Sequence, residues 1–116
     1  MSRCDSLKLN TEFHRVYARG KSISSPGVVT YALKSRVRGS GCRVGITTSK
    51  KIGNAVERNR CRRIIRAAFY QLSDDVGGDW DLVLVARHKT KFLKAPDIEK
   101  ALRNHFETLG VIKKPE

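Results

Sequence analysis

Between Lys50 and Phe69 the chain carries seven basic residues and one acid, yet it keeps the apolar spacing of a helix that must pack on something. At roughly 100° per residue, Cys61, Ile64, Ile65, Ala68 and Leu72 fall on one stripe. Asn59, Arg62, Arg63 and Arg66 fall on the opposite arc, flanked by Arg58 and Arg60. Asn54 is a good N-cap, and Glu57 three residues on reaches back to it in an Asn-led capping box. Lys50, Lys51 and Gly53 precede that N-terminus, where unpaired backbone N–H groups hold phosphate. Amphipathic spacing is common to surface helices and specifies nothing by itself. Five arginines within residues 58–66 are more telling, because guanidinium offers planar, bidentate contact to phosphate and stacks on bases. The stretch predicts a docked helix with a cationic outer face, against the blander alternative of a solvated charged surface.

The formal charge of +13, from 24 Lys+Arg against 11 Asp+Glu, bears on partners: such a body repels itself and attracts nucleic acid or anionic membrane. It also opposes folding unless anions bind. No apolar run approaches the roughly 18 residues of a spanning helix, and the opening Met1 to Asp5 leads into no signal-peptide core. Nucleic acid is therefore the expected partner, with no membrane and a cytoplasmic location. At 40% hydrophobic residues the 116-residue chain builds a real core, so one domain over residues 1–116 is expected. Cys4, Cys42 and Cys61 are too few and too scattered for a zinc site, and the odd count favours reduced thiols. Residues 112–116 read as a frayed tail.

The remaining elements follow in order. Asn10 or Thr11 is expected to cap a first helix through Arg19, with Gly20 as its stop. Phe13, Val16 and Tyr17 share one face of that helix, either as core or as ring faces lining a groove where unpaired bases stack. Residues 21–27 read as a loop or irregular edge. Val28–Lys34 and Arg43–Ser49 read as strands, close enough in sequence to pair as an antiparallel hairpin, with Val29, Tyr31 and Leu33 on one face of the first. The apolar run in Trp80–Ala86 predicts a strand covered on both faces, and Pro96 opens a last helix that Gly110 closes. The order is α-β-β-α-β-α: an α+β single domain, with a small mixed sheet packed by helices and a βαβ crossover through the basic helix.

Catalytic machinery is not evident. His14, His88 and His105 lie on three different elements with no motif around any of them. Asp74, Asp75, Asp79 and Asp81 surround a glycine turn and read as turn residues rather than a metal-binding pair. No metal site is expected on the protein. Helix-turn-helix, zinc-finger and zipper patterns are lacking, so DNA is not the expected partner. The residues describe a binder.

The run Lys50 to Arg66, centred on Arg58-Asn59-Arg60, resembles the "RNR" signature of the bacterial ribonuclease P protein family. The likeness extends to Phe13–Gly20 and Arg43–Ile46. It implies a partner, the catalytic RNA of ribonuclease P, and a substrate, precursor tRNA, from which the holoenzyme removes the 5′ leader. It further implies that the RNA with bound Mg2+ performs the hydrolysis, that the protein is monomeric without RNA and supplies no catalytic side chain, and that the βαβ crossover is left-handed. The catalytic-RNA-binding residues would be Lys50, Lys51, Asn54, Arg58, Asn59, Arg60, Arg62, Arg63 and Arg66. The leader-binding cleft would be lined by Phe13, Tyr17 and Tyr31. The rival readings are a ribosomal or assembly protein that binds structured RNA, and a self-sufficient ribonuclease.

Overall fold

The computed structural model describes residues 4–113. Its elements are β1 (Cys4–Ser6), α1 (Asn10–Arg19), β2 (Lys21–Ser25), β3 (Val28–Lys34), β4 (Cys42–Thr47), α2 (Ala55–Leu72), β5 (Trp80–Ala86) and α3 (Ala95–Leu109). Short 3-10 turns occupy Lys50–Ile52, Ser73–Asp75 and His88–Phe92. The five strands form one mixed sheet in the order β1-β4-β5-β3-β2. The α+β class and the parallel β4–α2–β5 crossover are as expected.

The expected hairpin does not form. β5 lies between β3 and β4, antiparallel to the first and parallel to the second. The reason lies in β5 itself: Leu82, Val83 and Leu84 are fully buried, which requires a neighbour on each edge and a layer on each face. Pairing β3 directly with β4 would have left this apolar strand at an exposed edge. The outer position falls instead to β2, whose Lys21, Ser22, Ser24 and Ser25 tolerate solvent. Of the two readings of residues 21–27, loop or irregular edge, the edge holds, and it is a regular strand over Lys21–Ser25.

Helices α2 and α3 cover one face of the sheet. Cys61, Ile65, Ala68, Phe69 and Leu72 of α2 meet Ile98, Leu102 and Phe106 of α3 over Val28, Ala32, Leu82 and Leu84. Burying side chains of this size contributes about 1.5–3 kcal/mol each, which is what holds so cationic a chain together. Burial also pushes the Cys61 thiol up, so this cysteine is a packed apolar residue. Helix α1 covers the other face, with Val16 buried against Val83 and with Leu7, Phe13 and Leu33 around them.

Four local expectations need correction. Helix α1 begins at Asn10 with Leu9 in the cap position, so neither Asn10 nor Thr11 caps it. Glu12 substitutes, its Oε1 accepting from the backbone N–H groups of Leu9 at 3.0 Å and Lys8 at 3.2 Å. Cys4 and Cys42 are joined by a disulfide, not reduced, because they are direct partners in the β1–β4 register with Cα atoms 4.5 Å apart. Ile112 is packed in the core rather than frayed. Residues 114–116 of the expected tail lie outside the described residues. Asp81 is not a turn residue: it sits inside β5 at 1% exposure.

Candidate nucleic-acid interface

The basic helix forms as its sequence demands. The Asn54 side chain accepts from Glu57 N at 2.9 Å, and Glu57 returns a carboxylate oxygen to Asn54 N at 3.1 Å. That backbone N–H, with the Lys91 ammonium 3.4 Å away, holds the Glu57 carboxyl below its ordinary range. Gly53 just before it has φ +152°, and a Cβ there would overlap the Glu57 carboxylate, so the capping box needs glycine at this point.

On the outward side, Asn59, Arg60, Arg63 and Arg66 are exposed, as are Lys50, Lys51 and Asn54 at the N-terminal end. Arg58 and Arg62 are half-buried. Arg62 reaches towards the end of β4, donating to Thr48 Oγ1 at 3.0 Å and to Asn59 Oδ1 at 3.3 Å. Arg60 donates to the backbone carbonyl of Lys91. Among the described residues none of Arg58, Arg60, Arg62, Arg63 and Arg66 has a carboxylate within salt-bridge distance, whereas Arg15, Arg43 and Arg103 each do. Unneutralised guanidinium groups on a rigid helix present a ready anion surface.

The three predicted cleft rings do come together. Tyr17 meets Tyr31 edge-on, with ring centroids 4.9 Å apart, and its hydroxyl lies 3.2 Å from Thr47 Oγ1. Phe13 packs closely on β4 at Gly45, where a Cβ would overlap its ring. The α1 stripe divides between core and surface. Val16 is core, whereas Tyr17 is 39% exposed and Phe13 and Tyr31 are half-buried at the rim. Register and alternation put Val29, Thr47 and Val85 beside Tyr31 on the same sheet face, so the rings stand over a largely apolar stretch of sheet. Such a surface suits bases and excludes water from their faces.

Helix α1 is tied across the sheet by ionic contacts that sequence reasoning missed. Asp81 accepts from Arg43 Nε and Nη2 at 2.9 Å each, with Arg15 Nη1 at 3.5 Å, and Arg43 also bonds Glu12. The Asp81 carboxylate raises the affinity of the Arg43 guanidinium for its proton, against the opposing effect of burial. Backbone donation from Leu9 is the main cause of the depressed Glu12 carboxyl. No local spacing could reveal the set, because its members come from α1, β4 and β5.

A cavity of about 380 Å³ joins the two surfaces at the free end of β4. Phe13 lines it from the cleft side and Arg62, Arg66 and Tyr70 from α2, with Val44 and Ile46 between. Tyr70, 48% exposed, carried no sequence signal.

The histidines remain apart. His14 and His88 are exposed, while His105 is buried with its ring nitrogens 2.6 Å from Ser25 Oγ and 2.8 Å from Thr30 Oγ1. Among the described residues no three His, Cys, Asp or Glu side chains are placed to hold a metal ion. No described helix is long and apolar enough to cross a membrane.

Comparison with known proteins agrees with this geometry. The family model described as Ribonuclease P matches residues 1–110. A ribonuclease P protein component from Clostridium novyi is 37% identical over 111 residues, covering 96% of this chain and 98% of the relative. One from Brevibacillus brevis is 38% identical, covering 97% of this chain and 89% of the relative. The solved RNase P protein of Staphylococcus aureus superposes with a TM-score of 0.79 at 29% identity, over 93% of this chain and 97% of that one. The RNase P protein from Thermotoga maritima, at 24% identity and a TM-score of 0.75, covering 95% of this chain and 99% of that one, shares the fold. With a cationic α2 face, an aromatic cleft under α1 and full-length relatives of one kind, this chain belongs to the ribonuclease P protein family, the protein subunit in tRNA 5′ maturation.

Proposed function

We propose that the chain binds the catalytic RNA of ribonuclease P through the outer face of α2 and receives the 5′ leader of precursor tRNA in the cleft beneath α1. In this reading hydrolysis belongs to the RNA and its Mg2+, and the protein works as a cytoplasmic subunit, monomeric until it meets the RNA. The observation that carries it is the separation of two surfaces on one rigid body. Five guanidinium groups without carboxylate partners among the described residues line α2, and three rings gather on the opposite sheet face.

Each surface suits a different nucleic acid. Arginines at fixed helical spacing complement a folded phosphate backbone and are weakened by salt through counterion release. Rings over an apolar sheet face take unpaired bases, which the leader offers and a duplex does not. Holding both at once draws ribozyme and substrate backbones together, and the protein's cations offset their repulsion. Precursor is thereby preferred over mature tRNA, because only the precursor has a leader.

Purified protein added to the catalytic RNA at low magnesium tests this directly. The expected result is cleavage of precursor tRNA at the mature 5′ end by the mixture, and none by the protein alone. Cleavage by the protein without RNA would establish the self-sufficient ribonuclease instead. No stimulation of the RNA would return the chain to the class of structured-RNA binders without a role in cleavage.

A further inference from the structure

Beyond the end of β5 the chain presents an aromatic group that folding does not explain. Phe92 is 71% exposed on the short turn His88–Phe92. His88 stands beside it with ring centroids 5.8 Å apart at 66°, and Lys91 Nζ lies 5.7 Å from its centroid. With Pro26, Arg87 and Lys89 these rings line an open pocket of about 520 Å³.

The turn that carries them is firmly held. Thr90 is fully buried, and its hydroxyl donates to Gly27 O at 2.6 Å and accepts from Arg87 N at 2.9 Å. Arg87 Nη1 donates to Ser25 O at 3.0 Å, which stitches the turn to β2. Lys91 is ion-paired to Glu57, and its carbonyl accepts from Arg60. An exposed phenylalanine on so constrained a turn is a presented ring.

Position and charge say what it is presented to. Val29 and Val85, on the cleft floor, pair one step inside Val28 and Ala86, so the patch begins where the floor ends. Arg87 and Lys89 bring positive charge beside exposed ring faces, the combination that holds unpaired nucleotides by stacking and backbone attraction. We infer that Phe92 and His88 form a second stacking platform, which takes an unpaired base of the leader after it has run the length of the cleft. This rests on the leader-binding reading of the cleft and extends it to longer leaders.

The test measures binding of the reconstituted holoenzyme to precursor tRNAs with leaders of about 2 and about 12 nucleotides, one below and one within the roughly 4–16-nucleotide site sizes of single-strand-binding grooves. Phe92→Ala, Phe92→Tyr and Phe13→Ala are compared with the parent, after thermal melts confirm that the exposed Phe92 changes leave folding intact. Phe92→Ala should weaken the long-leader precursor by about tenfold, the worth of one stacked base, and leave the short-leader precursor unchanged. Phe92→Tyr should retain tight binding, because its ring still stacks. Equal affinity of Phe92→Ala and the parent for both substrates overturns the platform. So does a loss that is the same for both leader lengths, or one confined to assembly with the catalytic RNA. Phe13→Ala separates the two levels: if it lowers precursor binding while Phe92→Ala does not, only the platform fails. If neither acts, the cleft reading fails with it.

Discussion

Replacing Asp81 with alanine removes the carboxylate on which α1 and β4 converge. Asp81 is 1% exposed and accepts two bonds from Arg43 at 2.9 Å, with Arg15 alongside at 3.5 Å. Without it two guanidinium groups face a sheet whose neighbouring side chains are Leu33 and Val83, and Glu12 is left to serve Arg43. Removing one partner of a buried pair costs about 3–5 kcal/mol, because the survivor is stranded. The Arg43 and Arg15 side chains keep 28% and 23% exposure, so water recovers part of that and places the loss near the lower end, about 3 kcal/mol. Against a total stability of about 5–15 kcal/mol the change is large. Urea unfolding reads it as a midpoint lower by about 2 M, taking a slope of about 1.5 kcal/mol per M. The double variant Asp81→Leu/Arg43→Met should recover part of the loss, since it strands one fewer charge. A single-variant loss below about 1 kcal/mol, at unchanged slope, would refute the claim that this carboxylate holds α1 to the sheet. Because α1 forms one wall of the cleft, Asp81→Ala should also lower the preference for precursor over mature tRNA.

Arg63→Ala and Arg66→Ala, at exposed positions on α2, should each weaken assembly with the catalytic RNA and reduce its log–log salt slope by about 1. Titrating affinity against salt checks this, and an unchanged slope would remove these residues from the interface. Burial lowers the His105 pKa below its ordinary 6.5, so the unfolded chain binds that proton first as pH falls. The His105 contribution should be intact above about pH 6.5 and lost as pH drops through the lower folded value. Denaturant midpoints of the parent and of His105→Gln between about pH 7.5 and 5.5 should diverge accordingly, and parallel curves would show that the buried ring does not titrate. Thiol counting in denaturant should find one reactive cysteine, Cys61, before reduction and the Cys4 and Cys42 pair only afterwards. Three reactive thiols without reductant would show the β1–β4 bridge to be open.

Much of this molecule is written locally. The α2 helix was legible to its caps, because the Asn54–Glu57 box and the apolar stripe depend on residues three and four apart. Its cationic face followed from the same geometry, since side chains that do not face the core face solvent. The burial of β5 on both faces was equally legible from its unbroken apolar run. Only tertiary structure decided who lies beside whom. Strand pairing joins segments far apart in sequence, so the alternation within β3 and β4 could not reveal that β5 separates them. The same long-range registration brought Cys4 to Cys42, Asp81 to Arg43 and Arg15, and Tyr17 to Tyr31. Aspartate beside a glycine turn looks like any turn residue until the arginines arrive from other elements. By itself the sequence determined the cationic helix and the rings, because helical period and residue chemistry are local properties. The sheet order then decided that helix and rings lie on opposite faces, because the covering of β5 on both sides is settled only when the whole chain packs.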